Sequence, residues 1–166
     1  MTTPTSQPGP APTSGQETDV PPRPKPDQNE LVGWIEELYA ERGAGLMHEM
    51  DLRITDAEPG FVRFVLPVAE RLTHGGGVLC GQAIMACMDT GMVFAMMSLR
   101  PDDREAKFTT VELKTSFERG VPADVGEVTF EARITKPGRT LVFGEVALVL
   151  PDGTRAAAAT TTYMWL

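Results

Sequence analysis

One stretch of the chain stands out by its hydrophobic pattern: residues 74–99, HGGGVLCGQAIMACMDTGMVFAMMSL, whose single formal charge is Asp89. A helix that is apolar nearly all round is typical of a buried element that a sheet has to cover. The pattern predicts a central helix that starts near residues 78–80 and ends at Arg100-Pro101, where proline forbids its continuation.

A second, amphipathic helix is predicted upstream of the central one. Asp27 can cap it, Glu30 lies in its first turn and Gly43 ends it. Apolar residues recur at helical spacing, at Leu31, Trp34, Ile35 and Leu38. We expect this helix to lie against a sheet or to plug one of its ends.

Six runs have strand composition, two before the central helix and four after it. They are His48–Thr55, Phe61–Pro67, Lys107–Phe117, Gly126–Thr135, Thr140–Leu150 and Arg155–Trp165. Turn signals join neighbours: Pro59-Gly60, residues 136–139 (KPGR) and Asp152-Gly153. Tight turns between successive strands predict an antiparallel sheet. Curled round one helix, such a sheet leaves edges that need cover, so association of two copies is expected.

Composition sets limits on function. The chain has 166 residues, enough for one domain with a real core, which we place at residues 27–166. Residues 1–26 are rich in Pro, Thr, Ser and Gly, and we expect a disordered tail. The net charge of -8 argues against a nucleic-acid partner, so any anionic ligand must be held by local Lys or Arg.

Membrane and metal sites are disfavoured. Asp89 would lie near the centre of a bilayer-spanning helix, at a cost of about 2.5–3.5 kcal/mol. The two histidines, His48 and His74, lie far apart in sequence and share no cluster with the cysteines, so no metal site or other cofactor is predicted. Cys80 and Cys87 would be about 10 Å apart on a helix, too far for a disulfide. Reduced thiols and the lack of a secretory signal favour the cytoplasm.

Asp89 is the residue that needs a chemical explanation. An isolated ionised carboxylate is costly to bury unless it is paired, hydrogen-bonded or exposed in a cleft. Two structural explanations stay open: Asp89 could cap a second helical segment starting at Thr90, or it could face solvent through a gap. The helix methionines are explained as core residues, although Met also suits a flexible tunnel for an apolar ligand.

The order of elements and the spacing of His74, Gly81 and Asp89 resemble the hotdog-fold acyl-CoA thioesterases, in particular the phenylacetate-pathway and 4-hydroxybenzoyl-CoA thioesterase branch. The resemblance covers about residues 44–165 and implies an α+β hotdog fold, a curled antiparallel sheet of five to six strands wrapped round one long central helix. It implies that the Gly81 N–H polarises the thioester carbonyl and that Asp89 is the catalytic carboxylate. His74 occupies the position of an amide in the family.

The same resemblance assigns further residues. Thr110 matches a Ser or Thr that in some relatives hydrogen-bonds the attacking group, with Thr109 an equal candidate by one slip of register. Cys80, Gln82 and Thr90 belong to the predicted substrate-binding set; Cys80-Gly81-Gln82 stands where many members have His-Gly-Gly. Lys136 and Arg139 lie where relatives often carry a Gly-Arg turn, which suggests contact with coenzyme A phosphates.

Physical chemistry supports the pairing of Gly81 with Asp89. Acyl transfer needs donors aimed at an oxyanion and a base or nucleophile on the other face of the carbonyl. Gly81, in the first turn, has an N-H with no intrahelical partner. Eight helical residues separate it from Asp89 by about 12 Å along the axis. The site is therefore expected to combine Gly81 of one subunit with Asp89 of its two-fold mate.

These inferences predict a cytoplasmic homodimer or dimer of dimers that hydrolyses acyl-CoA, or a related acyl thioester, to free acid and thiol. Asp89 would act as general base or as nucleophile, and the residues do not choose between these. Two rivals stay open: a non-catalytic protein of this fold that binds acyl-CoA or an apolar ligand, and a hotdog hydratase or dehydratase. A purely structural module would leave Asp89 unexplained.

Overall fold

The structure is a computed structural model that describes residues 27–101 and 103–166. The predicted tail, residues 1–26, lies outside the described residues. The helices are α1 (Gln28–Arg42), α2 (Gly45–His48) and α3 (Gly81–Ser98), and a 3₁₀ turn covers Glu70–Leu72. The strands are β1 (Arg53–Glu58), β2 (Phe61–Pro67), β3 (Thr73–His74), β4 (Val78–Leu79), β5 (Phe108–Phe117), β6 (Glu127–Pro137), β7 (Leu141–Val149) and β8 (Arg155–Trp165).

Six strands form one antiparallel sheet in the order β1-β2-β6-β7-β8-β5, as the strand composition and the turns predicted. Since β5 pairs with β8 and lies at the end of the order, its other side is a free edge within the described part of the chain. β3 and β4 make a separate two-stranded ribbon. This ribbon was not predicted; its turn is built from glycines, and Gly77 adopts φ 72°.

The predicted strand His48–Thr55 is wrong in its first half. Residues 45–48 form the short helix α2, Asp51 turns the chain with φ 54°, and β1 begins only at Arg53. Met47 and Met50 are both buried, a spacing of three that suits a helical turn rather than the alternation of a strand. The apolar residues of this short run were therefore assigned the wrong period.

The central helix α3 packs against the sheet, as predicted. It approaches β2 and β6 closely at Gly91, where a Cβ atom would lie 2.9 Å from Phe64 Cε1 and 3.2 Å from Ala132 Cβ. The Phe64 ring cannot yield easily because it stacks on Phe130 at 5.1 Å between centroids. Glycine in mid-helix thus permits the close contact that buries most of α3.

Helix α1 begins and ends as predicted. The Asp27 side chain accepts a hydrogen bond from Asn29 N, and Gly43 ends the helix. Leu31, Ile35 and Leu38 are buried, and the helix lies against β1 and α3. Its C-terminal end thereby forms one wall of the space beside the middle of α3.

Candidate active site

Asp89 is half-buried in the middle of α3, and its side chain is held by two hydroxyl groups. Thr110 Oγ1 donates a hydrogen bond of 2.9 Å to Asp89 Oδ1. Tyr163 OH lies 2.5 Å from the same oxygen and 3.0 Å from the Asp89 carbonyl oxygen. Of the two threonines that sequence alone left equivalent, Thr110 is therefore the one that contacts Asp89.

The pairing of β5 with β8 brings the two hydroxyls together. Thr110 is paired with Tyr163 in the register of these strands, and the register shifts between Thr110 and Glu112. Tyr163 is fully buried, and its ring packs against Phe108 at 6.0 Å between centroids. The register of the sheet thus fixes the positions of both donors.

The surroundings of the Tyr163 phenol keep it protonated, so that it donates a hydrogen bond to Asp89. Burial raises its pKa well above the ordinary tyrosine value, and the hydrogen bond to Asp89 raises it further, whereas Thr110 opposes the shift. Ionisation would place a second negative charge beside a carboxylate away from water. The phenol therefore stays protonated and donates its hydrogen bond at physiological pH.

A cavity of about 360 Å³ lies beside Asp89, between α3 and the segment from the end of α1 through α2. Its walls are mostly apolar, and Thr90 lines it next to Asp89. The cavity is also lined by Tyr39, Arg42, Gly43, Ala44, Leu46, Met47, Ala86, Val93 and Met97. Small-molecule sites are typically apolar concavities with a few placed polar groups, and this cavity has that character.

One structural alternative for Asp89 is wrong. The residue does not cap a new segment at Thr90, because α3 runs without a break from Gly81 to Ser98. The hydrogen bonds to Thr110 and Tyr163 explain how the carboxylate is accommodated beside the core.

Gly81 is the first residue of α3, after Cys80 as its N-cap. It lines a separate cavity of about 390 Å³ together with Ile84, Phe117 and the loop 118–121. A Cβ atom at Gly81 would meet only the Phe117 ring, at 3.4 and 3.6 Å, which is ordinary contact. Packing within the chain therefore does not require glycine at this position.

Gly81 and Asp89 do not meet within one chain. They line separate cavities and lie about 12 Å apart along the helix axis. Cys80 is half-buried and Gln82 exposed at the Gly81 end. His74 is exposed on the β3–β4 ribbon, where its Nδ1 accepts a hydrogen bond of 3.0 Å from Gly76 N. None of these residues contacts Asp89 within the chain. Their predicted roles at the site therefore require a second copy of the chain at this end of the helix.

Lys136 and Arg139 are exposed at the turn between β6 and β7. This turn lies at the end of the sheet that carries Tyr163, since Val142 pairs with Tyr163 and Trp165 N donates to Thr140 O at 2.9 Å. The two cations are therefore placed at the same end of the sheet as the hydroxyls that hold Asp89.

The free edge strand β5 and the neighbouring face of α3 expose three large apolar side chains. Val111, at the register shift, is 56% exposed, Phe117 is 52% exposed and Met85 on α3 is 42% exposed. Large apolar side chains beside an unpaired strand edge are typical of a surface that another chain covers.

Tyr163 is the contact of Asp89 that the sequence analysis missed. It lies 74 residues from Asp89 and 53 from Thr110 along the chain. The sequence shows only that Tyr163 lies in the last predicted strand. It does not show which residue of β5 pairs with Tyr163, so its contact with Asp89 could not be predicted.

Two other features are absent from the described ranges, 27–101 and 103–166. No group of three or more His, Cys, Asp or Glu side chains there is arranged to hold a metal ion. None of the helices in the same ranges has the length and hydropathy needed to cross a bilayer.

Several solved structures with this architecture bear thioesterase names. The Thioesterase superfamily model matches residues 76–157, which include Asp89 and Thr110. A thioesterase family protein of Silicibacter pomeroyi is similar in structure, with a TM-score of 0.71 and 29% identity over 82% of this chain and 98% of that one. The PaaI protein of the Escherichia coli phenylacetic acid degradation operon has a TM-score of 0.72 at 14% identity, over 84% and 95% of the two chains, which shows the fold alone.

A protein of Halobacterium salinarum that bears the provisional name of an esterase is 29% identical over 119 residues, 70% of this chain and 77% of that one. The family match and these similarities together support thioester hydrolysis as the general activity. Residues 76–157 thus match the thioesterase superfamily, and the chain has the hotdog fold of that superfamily.

Proposed function

We propose that this protein hydrolyses acyl-CoA to the free acid and coenzyme A, at a site made by two copies of the chain. The observation that carries the proposal is the Asp89 carboxylate, held by Thr110 and Tyr163 at the wall of an apolar cavity. A fixed carboxylate next to a space for an acyl group is what thioester hydrolysis requires.

The acyl group would occupy the cavity lined by Thr90, Val93 and Met97, with its carbonyl carbon near Asp89. Asp89 either attacks that carbon, forming a mixed anhydride as the thiolate leaves, or removes a proton from an attacking water. The Gly81 N–H of the second copy donates to the developing oxyanion, where the helix dipole adds positive potential.

The remaining predicted residues take positions around this reaction. His74, Cys80 and Gln82 lie at the Gly81 end of the helix, where they would contact the thioester from the second copy. Lys136 and Arg139 would pair with coenzyme A phosphates, since they are exposed cations on a chain of net charge -8. A reduced, cytoplasmic setting fits an intracellular substrate of this kind.

Two copies would meet along β5 and the adjoining face of α3. The free edge of β5 and the exposed Val111, Phe117 and Met85 support this arrangement. It would also bring Gly81 of each copy toward Asp89 of the other, which the 12 Å along one helix does not allow within a chain.

The first experiment measures thiol release from short, medium, long and aromatic acyl-CoAs by wild type and Asp89→Asn. Removing the base or nucleophile is expected to lower kcat at least a hundredfold, while Glu36→Gln, an exposed carboxylate on α1, leaves kcat unchanged. Full turnover by folded Asp89→Asn would refute the assignment. Saturable acyl-CoA binding without hydrolysis would instead identify a binding protein, and hydration of an enoyl thioester would identify a hydratase.

The second experiment tests the shared site by complementation. Asp89→Asn and Gly81→Pro chains, each inactive alone, are mixed after reversible unfolding or are coexpressed. In a mixed dimer one site keeps both Gly81 and Asp89, so about one quarter of wild-type activity is expected from random pairing. No recovery, with mixed dimers demonstrated by native mass spectrometry, would place both groups in sites that do not cross the interface.

A further inference from the structure

Both hydroxyl donors that reach Asp89 bind the same carboxylate oxygen. Thr110 Oγ1 and Tyr163 OH both contact Oδ1, at 2.9 and 2.5 Å. Among the residues that the structure describes, Oδ2 has no hydrogen-bond partner. The two oxygens of the carboxylate therefore have different surroundings.

We propose that Tyr163 is a positioning residue that, with Thr110, locks Asp89 so that Oδ2 is the oxygen that meets the substrate. The inference rests on the proposed function, in which Asp89 is the reacting carboxylate. It goes further by naming the reacting oxygen and the side chain on the last strand that selects it.

The geometry explains why two donors are needed. A single donor leaves the carboxylate free to turn about its Cβ–Cγ bond and to exchange its oxygens. Two donors on Oδ1 occupy its lone pairs, and the Tyr163 ring is fixed by burial against Phe108. Turning the carboxylate would then break both hydrogen bonds at once, which leaves Oδ2 as the oxygen that is free to react.

Tyr163 itself transfers no proton in this scheme. If Asp89 is the nucleophile, Oδ2 forms a bond to the carbonyl carbon as the carbon–sulfur bond breaks and thiolate leaves, and water then hydrolyses the mixed anhydride to the free acid and the Asp89 carboxylate. If Asp89 is the base, Oδ2 takes a proton from water as the water oxygen attacks, and the carbon–sulfur bond breaks as the thiolate leaves and takes up that proton. In both cases the phenol keeps its own proton and donates to Oδ1.

The test compares Tyr163→Phe, which keeps the ring and removes the hydroxyl, with Thr161→Val on the same strand. The Thr161 hydroxyl is buried and has no hydrogen-bond partner among the described residues, so its removal controls for loss of a hydroxyl near the site. In Tyr163→Phe we expect kcat to fall roughly ten- to hundredfold, the worth of one hydrogen bond to a charged group. KM should change less than about twofold.

The division between kcat and KM separates positioning from a packing effect. Loss of a positioning contact should lower kcat and leave KM nearly unchanged in Tyr163→Phe, whereas Thr161→Val should change neither. Equal kcat in wild type and in folded Tyr163→Phe would overturn the inference.

A spectroscopic measurement needs neither activity nor a folded Tyr163→Phe. The chain has two tyrosines, Tyr39 and Tyr163, so 3-fluorotyrosine labelling gives two ¹⁹F signals, assigned with Tyr39→Phe. The Tyr163 signal should change its chemical shift in Asp89→Asn and keep it in Glu36→Gln. If neither signal responds to Asp89→Asn, the contact proposed here is refuted. If the response is seen but no thioester is hydrolysed, the proposed function fails and the contact stands.

Discussion

The most direct prediction concerns the Gly81 N–H, which two substitutions can isolate. Gly81→Pro removes the N–H, whereas Gly81→Ala keeps it and adds a methyl group of similar position to the proline Cβ. Both changes are compatible with the structure, because Gly81 is the first residue of α3 and Cys80 before it has the extended backbone, φ -71° and ψ 145°, that proline demands of its predecessor.

The expected magnitudes follow from the surroundings of Gly81. A Cβ atom there would contact Phe117 at 3.4–3.6 Å, so neither variant should overpack the site, and proline at the first helical position is well tolerated. The midpoint of denaturant unfolding should therefore stay close to that of wild type. Losing one oxyanion donor costs about 2.7–4 kcal/mol of transition-state stabilisation, a hundred- to thousandfold fall in kcat.

The assay is the ratio of kcat for Gly81→Ala to kcat for Gly81→Pro, with the acyl-CoA that wild type hydrolyses fastest. Using this ratio cancels the effect of the added carbon and leaves the effect of the N–H. A ratio near one, for two variants that unfold at the wild-type midpoint, would show that this N–H does not stabilise the oxyanion. A large ratio with unchanged KM would support its action in the transition state alone.

Two further predictions concern the stability and reactivity of buried groups. Ser98 Oγ accepts a hydrogen bond from Gly60 N at 2.8 Å and donates one to Ala95 O at 2.7 Å. Ser98→Ala leaves the buried Gly60 N–H unpaired and should lower the free energy of unfolding by about 1–3 kcal/mol, measured by urea titration. An unchanged unfolding midpoint would contradict this prediction. Burial, and then the neighbouring Cys80, raises the pKa of the Cys87 thiol to about 12. In a Cys80→Ser background, Ellman's reagent should therefore leave native Cys87 unmodified and react with it after unfolding, and rapid native labelling would contradict its burial.

Sequence alone predicted the long elements because their periods are unambiguous. The apolar run of α3 is bounded by glycines and by Arg100-Pro101, and the strands β2 and β8 have the predicted bounds Phe61–Pro67 and Arg155–Trp165. The segment containing α2 was misassigned because a few apolar residues fit either period when tertiary packing is unknown.

The environment of Asp89 was predictable only in part. Asp89 stands out in the sequence because it is the one charged residue in an apolar helix. A buried carboxylate needs hydrogen-bond donors, so such donors could be expected near it. Which hydroxyl compensates it depends on the register of β5 against β8 and on the shift between Thr110 and Glu112. Register over so long a sequence separation is set by packing of the whole sheet, so Thr109 and Thr110 were equivalent and Tyr163 was not found.

The position of Thr110 connects the chemistry to the proposed association of two copies. Thr110 holds Asp89 from β5, and the next residue, Val111, is 56% exposed at the free edge of the same strand. A strand edge without a neighbour is less restrained than one that is paired on both sides. If a second copy pairs with β5, as proposed, it would therefore fix the Thr110 donor of one chain while delivering its own Gly81 N–H. Association would then order the carboxylate and complete the oxyanion site in one step.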